Sequence, residues 1–263
     1  MGTPERNSTI FLFDVDGTLT KARQSITAEM WEFLQALRGR ETHDGMPVST
    51  GVVSGSDTAK IVEQLAGGNA TALYDAFDYV FTENGVVGRC GTTMLPSLSI
   101  VNEIGEERLQ DVINFCLNYI SQIRLPVKRG NFIEFRRGML NVSPVGRACS
   151  QEERDRFVEY EHENPVREKF VAELRRRFTD YGLTFSIGGQ ISIDIFPNGW
   201  DKTYCLRYLT PAFERIHFFG DRTFKGGNDH ELFEHPTTIG HTVLNPDHTR
   251  EEVEKLLKPI AEF

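Results

Sequence analysis

The stretch Ile10-Phe11-Leu12-Phe13-Asp14-Val15-Asp16-Gly17-Thr18 decides the fold of this chain. Four apolar residues run without interruption into two acidic residues. An apolar run of this length is typical of a strand that is buried on both faces, as in a parallel sheet. Because ligands of open α/β sheets bind beyond the carboxyl ends of the strands, we expect Asp14 and Asp16 to project into such a crevice.

The following segments alternate between helix and strand patterns. Thr27 is a suitable N-cap for a helix, and residues 51–53 form a second short apolar strand. A further helix ends at Gly67-Gly68, and residues 79–81 form a third strand. This β-α-β-α-β order predicts a doubly wound α/β domain with a parallel sheet.

The middle of the chain has a different pattern. An amphipathic helix fits residues 106–123, and helical segments lie among four short strand-like segments, which are 132–136, 140–143, 183–187 and 191–195. From Trp200 the α/β pattern resumes, and the apolar run 216–219 ends at Gly220-Asp221. We therefore predict a catalytic core made of residues 1–87 and 198–263. Residues 88–197 would form an inserted α+β cap domain that contains an antiparallel sheet.

The amino-acid composition and charge of the chain limit the kinds of molecule that it could bind. The net charge of −9 argues against general nucleic-acid binding, and no apolar run reaches the roughly 20 residues of a membrane span. The predicted cap holds equal numbers of acidic and basic residues, so the whole negative excess lies in the predicted core. Polar residues 1–8 lack the pattern of a signal peptide, and the four cysteines are far apart. We expect a cytoplasmic protein with reduced thiols, no membrane partner and no nucleic-acid partner.

The two acidic residues after the first strand suggest phosphate chemistry. A carboxylate such as Asp14 can accept a phosphoryl group and form an acyl phosphate. Asp16 is then placed to act as general acid and base toward a sugar oxygen. Mg²⁺ would relieve the repulsion between these anions and a phosphate. A calcium loop is excluded because its twelfth position would be Ser25 instead of glutamate, whereas a simple turn remains an alternative for the short motif alone.

Further motifs make the chain resemble the haloacid dehalogenase (HAD) superfamily of phosphotransferases. The DxDGT motif is Asp14–Thr18, and the hydroxyl residue after the second strand is Ser54 or Ser56. Lys202 matches the lysine that faces the phosphoryl oxygens, although a single lysine is more often a solvated helix residue. Asp221 and, with a turn as its alternative, Asp229 match the acidic metal ligands. The resemblance implies a metal site formed by Asp14, Asp16, Asp221 and Asp229.

A closer resemblance is to the eukaryotic phosphomannomutases. It is carried by the stretches 13–20, 132–136, 138–147, 199–202 and 216–221. The resemblance implies a Mg²⁺-dependent isomerase that interconverts mannose 6-phosphate and mannose 1-phosphate through a phosphoaspartate and hexose 1,6-bisphosphate. It also implies activity on glucose 1-phosphate and a supply of mannose 1-phosphate for GDP-mannose synthesis and glycosylation.

The resemblance also implies a set of substrate-binding residues. In that family, cap arginines hold the phosphate that is not being transferred, and by motif position the substrate-binding residues here are Arg23, Arg136, Arg147, Arg154, Ser192 and Asp194. Strand alternation over residues 191–195 independently turns Ser192 and Asp194 to one face, where Asp194 needs an arginine or a polar cleft. A solvated arginine face is the alternative, and we expect it for residues 175–177.

The resemblance extends to a second cation site and to a dimer. Phe233 and Thr238 match the family's second site, but His235 stands where an acidic residue is expected, which weakens this site or makes it sensitive to pH. A loop histidine without a metal role is an equal alternative. The family also implies a homodimer formed through the cap, with the helix over residues 106–123 as a candidate surface.

Two other functions compete with the mutase. A capped sugar-phosphate phosphatase of the same superfamily would share the phosphoaspartate but would need no clamp for a second phosphate. A catalytically silent phosphosugar-binding protein is disfavoured because both Asp14 and Asp16 are present.

Overall fold

The computed structural model describes residues 8–259. These residues fall into two compact units. The core unit comprises the chain up to Ser97, Asp201–Lys225 and the chain from Asp229 onward. The inserted unit comprises Leu98–Trp200 and Gly226–Asn228.

The helices and strands are numbered here in chain order. The first segment holds β1 (Thr9–Phe13), α1 (Ala28–Ala36), β2 (Val48–Val53), α2 (Thr58–Ala66), α3 (Ala70–Ala76), β3 (Tyr79–Thr82), β4 (Val87–Cys90) and β5 (Thr93–Met94). The inserted unit holds α4 (Ile100–Ile104), α5 (Glu106–Gln122), β6 (Ile133–Phe135), β7 (Leu140–Val142), α6 (Gln151–Glu163), α7 (Val166–Arg177), β8 (Leu183–Gly188) and β9 (Ser192–Pro197). The last segment holds α8 (Leu206–Leu209), β10 (Arg215–Gly220), α9 (His230–Phe233), β11 (Ile239–Thr242) and α10 (Pro246–Glu254).

The core unit is built on one sheet with the strand order β11-β10-β1-β2-β3-β4-β5. The strands from β11 to β3 are parallel, and β1 lies between β10 and β2. Phe11 and Phe13 face an apolar cluster that includes residues of α1 and α2, whereas Ile10 and Leu12 face a cluster that includes residues of α8. Both faces of β1 are therefore buried, which explains its unbroken apolar sequence. The predicted doubly wound parallel core is confirmed.

Local signals mark the ends of the core helices, and both the cap at Thr27 and the end at Gly67 agree with the sequence-based prediction. The hydroxyl oxygen of Thr27 accepts a hydrogen bond from the backbone N–H of Met30 at 3.2 Å and caps α1. Asp57 caps α2 in the same way, and Gly67 ends that helix with a left-handed φ of 56°. The cap at Asp57 fixes the direction in which α2 leaves the loop that follows β2.

The inserted unit contains an antiparallel sheet with the order β6-β7-β9-β8. One apolar cluster joins this sheet to α4, α5 and α7. Glu134 pairs with Asn141 across β6 and β7, and Asn141 pairs with Asp194 across β7 and β9. These three polar residues therefore lie side by side across the sheet. The predicted α+β unit with an antiparallel sheet is confirmed.

The first boundary of the inserted unit lies later in the chain than residue 88. Residues 88–97 belong to the core unit because β4 pairs antiparallel with β3 and carries β5 at the sheet edge. The four cysteines, all in the described part of the chain, are free thiols. Within residues 8–259, no helix has the length and apolar character that a membrane crossing needs.

Candidate active site

Three carboxylates meet at the edge of the core sheet. Asp14 follows β1 and Asp221 follows β10, and the register of these neighbouring strands pairs Phe13 with Phe219. Asp229 lies at the start of α9. One oxygen of each carboxylate lies within 4.8 Å of the others, which brings the acidic residues from both ends of the sequence together as the strand pattern predicts.

Two glycines leave room for these carboxylates. A Cβ atom on Gly17, which has a φ of 88°, would overlap the carboxylate of Asp221. A Cβ atom on Gly220 would lie 2.7 Å from Oδ2 of Asp229. The glycines of the DxDGT and Gly-Asp motifs are therefore required by the close approach of acidic side chains.

Lys202 is buried among these acids. Its side chain is 1 % exposed, its Nζ donates to Oδ1 of Asp14, and it donates to Oδ1 of Asp229 at 2.6 Å. Oδ2 of Asp229 accepts a hydrogen bond from the backbone N–H of Arg222 at 3.0 Å. The alternative of a solvated lysine is therefore wrong, since this ammonium group is an internal partner of two carboxylates.

The pKa values in this group reflect burial and an excess of negative charge. Burial raises the pKa of Asp14, and the neighbouring Asp229 and Asp221 raise it further against the effect of Lys202. Burial and Asp229 raise the pKa of Asp221 to about 6. Burial alone would lower the pKa of Lys202, but Asp14 and Asp229 outweigh that effect and raise it. One ammonium group therefore does not neutralise the three acids.

The three carboxylates fit a divalent metal ion. They offer only oxygen ligands, which Mg²⁺ prefers, and their oxygens converge. When all three are ionised, two negative charges remain after the single positive charge of Lys202. Asp14, Asp221 and Asp229 would hold the ion. A bound Mg²⁺ would supply charge neutralisation for an incoming phosphate.

The carboxylate of Asp16 is bound by three hydrogen-bond donors of its own. Its Oδ1 accepts hydrogen bonds from the backbone N–H of Arg23 at 2.6 Å and from Nε2 of Gln64 at 2.8 Å. Its Oδ2 accepts from Nζ of Lys60 at 3.3 Å. Burial would raise the pKa of Asp16, but Lys60 and these hydrogen bonds outweigh it and lower the pKa. The Asp16 carboxylate is not one of the three converging acids, so its role as a metal ligand stays a prediction.

The sequence alone did not indicate a functional role for Lys60 and Gln64. They lie four residues apart on α2 and therefore on one helix face. Gln64 also donates to the hydroxyl of Thr20 at 2.8 Å. Arg23, predicted as a substrate ligand, has an exposed side chain and a left-handed φ of 63°, and its backbone N–H contacts Asp16.

Ser54 and Ser56 lie in the loop between β2 and α2. The hydroxyl of Ser54 accepts a hydrogen bond from the backbone N–H of Ser56 at 3.1 Å. Lys60 donates to the hydroxyl of Ser56 at 3.0 Å while it also contacts Asp16. Ser56 thus joins the Asp16 group directly through Lys60, and Ser54 supports the loop.

A second charged group lies on the sheet of the inserted unit. Nε and Nη2 of Arg136 donate to Oε1 of Glu134 at 2.7 and 2.6 Å. Nε of Arg147 donates to Oε2 of Glu134 at 2.6 Å, and Nη1 of Arg147 donates to the Asn141 amide oxygen. The Asn141 amide donates to Asp194 at 2.5 Å. Arg136, Arg147 and Asp194 are therefore brought together, and Glu134 and Asn141, to which the sequence reasoning gave no role, join them.

Asp194 is accommodated by its neighbours in this group. Burial raises its pKa, while Arg136, Asn141 and Arg147 oppose that effect. A Cβ atom on Gly188, which pairs with Ser192 and lies diagonally opposite Asp194 across β8 and β9, would lie 2.5 Å from Oδ2 of Asp194. The expectation that this carboxylate has an arginine neighbour or a polar cleft agrees with the nearby charges of Arg136 and Arg147 and the hydrogen bond from Asn141.

Arg154 and Ser192 both donate hydrogen bonds to backbone carbonyl oxygens. Arg154 lies in α6, which starts with the predicted capping box at Ser150, and its guanidinium donates to the carbonyl oxygens of Arg147 at 2.8 Å and Cys149 at 3.3 Å. The hydroxyl of Ser192 donates to the Gly188 carbonyl oxygen at 3.1 Å. Arg154 therefore supports the loop that carries Arg147, and Ser192 stays on the sheet near Asp194. The expected exposure of residues 175–177 is confirmed.

The residues of the predicted second cation site lie around the end of α9. The hydroxyl of Thr238 donates to the carbonyl oxygens of Leu232 at 2.6 Å and His235 at 2.9 Å. Nδ1 of His235 lies 2.9 Å from the hydroxyl of Thr237. Phe233 is half-buried on the same helix. These contacts describe a closed turn, and a cation at Phe233 and Thr238 stays a prediction.

Comparisons with known proteins agree with this architecture. The family model for eukaryotic phosphomannomutases matches residues 30–259. A probable phosphomannomutase of Caenorhabditis elegans is 55 % identical over 260 residues, which are 99 % of this chain and 100 % of that protein. A phosphomannomutase of Glycine max is 53 % identical over 251 residues, which are 95 % of this chain and 97 % of that protein.

Solved structures show the same fold at low sequence identity. A haloacid dehalogenase-like hydrolase from Bacteroides thetaiotaomicron has a TM-score of 0.57 and 16 % identity, over 94 % of this chain and 99 % of that chain. An IMP-bound IMP-nucleotidase from Plasmodium falciparum has a TM-score of 0.60 and 14 % identity, over 95 % of this chain and 68 % of that chain. These structures support the fold alone.

Proposed function

The chain belongs to the eukaryotic phosphomannomutase family, and on that premise we propose that it interconverts mannose 6-phosphate and mannose 1-phosphate. The observation that carries this proposal is the meeting of Asp14, Asp221 and Asp229 around the buried ammonium group of Lys202. Such a group suits transfer of a phosphoryl group, because it combines a carboxylate nucleophile with positive charge for the phosphoryl oxygens.

In the proposed first step, Asp14 attacks the phosphorus of a hexose 1,6-bisphosphate. A bond forms between a carboxylate oxygen and phosphorus while the bond to the sugar oxygen breaks, which leaves a phosphoaspartate and a hexose monophosphate. Lys202, already in contact with Asp14, stabilises the negative charge on the phosphoryl oxygens. The phosphoryl group is then transferred to a bound hexose monophosphate, at whichever of the C1 and C6 hydroxyls carries no phosphate. This transfer regenerates the free carboxylate of Asp14.

We assign proton transfer at the sugar oxygen to Asp16. It donates a proton to the leaving oxygen in one half-reaction and accepts one from the attacking hydroxyl in the other. Lys60, Gln64 and the Arg23 backbone fix its two oxygens and so limit the orientations of the carboxylate. Ser56 contacts the same lysine and is proposed to orient the phosphate beside it.

We assign the phosphate that is not transferred to the arginines of the inserted unit. Arg136 and Arg147 converge on one carboxylate, so their guanidinium groups already lie near one point. Planar guanidinium groups match phosphate with paired hydrogen bonds. Arg154 would support this pair, and Asn141, Ser192 and Asp194 would contact sugar hydroxyls.

The proposal is tested with mannose 1-phosphate, Mg²⁺ and a trace of glucose 1,6-bisphosphate. We expect mannose 6-phosphate as the main product and loss of turnover in Asp14→Asn. Asp75→Asn, which alters an exposed aspartate of the core unit, is the matched control and should stay active. Stoichiometric inorganic phosphate would instead favour a sugar-phosphate phosphatase, and no turnover of the natural sequence would favour a binding protein.

Other properties implied by the family are part of the same proposal. They include activity on glucose 1-phosphate, a supply of mannose 1-phosphate for GDP-mannose synthesis, a cytoplasmic location and a homodimer formed through the inserted unit. Light scattering during gel filtration measures the dimer directly, and a monomer at micromolar concentration would contradict it.

A further inference from the structure

Glu134 occupies the point on which two predicted phosphate-binding arginines converge. Its Oε1 accepts two hydrogen bonds from Arg136, and its Oε2 accepts one from Arg147. All these bonds are 2.6 or 2.7 Å long, as expected for charge-assisted pairs. The carboxylate therefore takes the same donor groups that would bind a phosphate.

The Glu134–Arg147 pair is open to solvent, unlike the Arg167–Glu161 pair of the same unit, whereas Arg136 itself is only 10 % exposed. The side chains of Glu134 and Arg147 are 27 % and 28 % exposed. Arg167 and Glu161 are 10 % and 14 % exposed, and Arg167 also donates to three carbonyl oxygens. Arg167 is thus a structural residue, whereas the contacts of Glu134 can exchange with an anion from solution.

The charge of Glu134 opposes a bound phosphate. A phosphate held by Arg136 and Arg147 would lie next to the carboxylate of Glu134. This is so whether the phosphate replaces the carboxylate at the two guanidinium groups or shares their N–H donors with it. Two unit charges about 6 Å apart, at an effective dielectric constant of about 40, repel enough for about a tenfold change in dissociation constant. The carboxylate therefore weakens binding of every phosphate that reaches this site.

We propose that Glu134 is an affinity-lowering residue that weakens phosphate binding by the inserted unit, so that a bisphosphate can leave and return in the opposite orientation. This inference rests on the proposed mutase function. A mutase must bind either phosphate of its bisphosphate at the same place, and a site that holds one phosphate too long slows the exchange. Weaker ground-state binding then raises turnover.

The test compares Glu134→Gln with the natural sequence in the full-length protein. Binding of mannose 1-phosphate is measured by titration calorimetry in EDTA, and the Michaelis constant and kcat are measured with Mg²⁺. We expect the variant to bind mannose 1-phosphate about tenfold more tightly, with a lower Michaelis constant and a lower kcat. Glu173→Gln, which alters a surface partner of Arg176 in the same unit, is the control and should change none of these three quantities.

The outcomes separate this inference from the proposed function. Weaker or unchanged binding by Glu134→Gln would overturn the inference, because a carboxylate that merely positions the arginines would raise the Michaelis constant when removed. Glu134→Ala also removes the charge and replaces Glu134→Gln in the test if that variant does not fold. Glu134→Asp keeps the charge and should bind mannose 1-phosphate with the natural affinity. Arg147→Gln should weaken binding about tenfold, and if it does not, the arginine site itself fails, whatever the role of Glu134.

Discussion

Replacing Gly220 by alanine perturbs one carboxylate of the site through a single added methyl group. The new Cβ would lie 2.7 Å from Oδ2 and 2.9 Å from Cγ of Asp229, and 3.0 Å from Cε1 of Phe218. Gly220 is outside the set of glycines with positive φ, so the backbone accepts alanine and the effect is steric.

The size of the effect follows from these distances. Ordinary contact begins near 3.4 Å, so the carboxylate of Asp229 must move by at least 0.7 Å, the difference between 3.4 and 2.7 Å. It cannot do so freely, because Lys202 and the Arg222 N–H hold its two oxygens. Overpacking of this kind lowers the free energy of unfolding by about 1–3 kcal/mol. A displacement approaching 1 Å at a reacting centre lowers kcat by about 10- to 100-fold.

Two measurements and one control variant test this prediction. Urea unfolding with and without Mg²⁺ gives the stability and its increase on metal binding, and the mutase assay gives kcat. In Gly51→Ala the added methyl group would lie 3.2–3.3 Å from the side chains of Ile10, Leu12 and Tyr79. We expect this control to be destabilised as well, but to keep the stabilisation by Mg²⁺.

The reasoning is refuted if Gly220→Ala keeps the natural kcat and the natural stabilisation by Mg²⁺. It is also refuted if Gly51→Ala loses the Mg²⁺ effect to the same extent, because the loss would then reflect general instability.

Three further predictions follow from the described contacts. Lys202→Met should lower the free energy of unfolding in EDTA by about 3–5 kcal/mol, since it leaves two buried carboxylates without their cation, and urea titration showing a smaller loss would contradict this. Gln64→Leu should lower kcat by about tenfold because Asp16 loses one of its donors, while an unaltered Michaelis constant checks that substrate binding is intact. Burial and the neighbouring His241 lower the pKa of His217 to about 4 from its ordinary value of 6.5, so unfolding takes up a proton below pH 6.5. Stability should therefore be complete above pH 6.5 and fall by about 3 kcal/mol as the pH drops toward 4, and His217→Phe should flatten this slope in chemical unfolding.

The parallel core and its acidic group could be predicted because their signals are local. Two of the predicted strands lead into acidic residues, one directly into Asp14 and the other through Gly220 into Asp221, and parallel strands bring their carboxyl ends to one edge. Lys202 lies far from both in sequence. Its place between Asp14 and Asp229 depends on tertiary packing, so the motif resemblance was the only signal for it.

The residues that escaped prediction act through contacts between distant elements. Lys60 and Gln64 lie among apolar residues of α2, and only the packing of α2 against the loop after β1 directs them to Asp16. Glu134 and Asn141 lie side by side with Asp194 because of the register of three antiparallel strands. That register cannot be read from a single sequence.

The boundary near residue 88 was misplaced for a related reason. The turn residues around Gly85 indicate a change of direction, and the sequence pattern after them no longer shows long apolar runs. The chain nevertheless returns along β3 as β4 before it enters the inserted unit. A four-residue strand next to the sheet edge, with mostly half-buried residues, carries too weak an apolar alternation to be distinguished from a linker.

The most direct test of the account is the site of phosphorylation. The protein is incubated with glucose 1,6-bisphosphate and Mg²⁺, quenched in acid and examined by intact-mass and peptide mass spectrometry. We predict one phosphoryl group on Asp14, its loss on treatment with hydroxylamine, its absence in Asp14→Asn and its presence in the control Asp75→Asn. A normal level of phosphoenzyme in Asp14→Asn, or a phosphoryl group mapped to another residue of the natural sequence, would contradict the account.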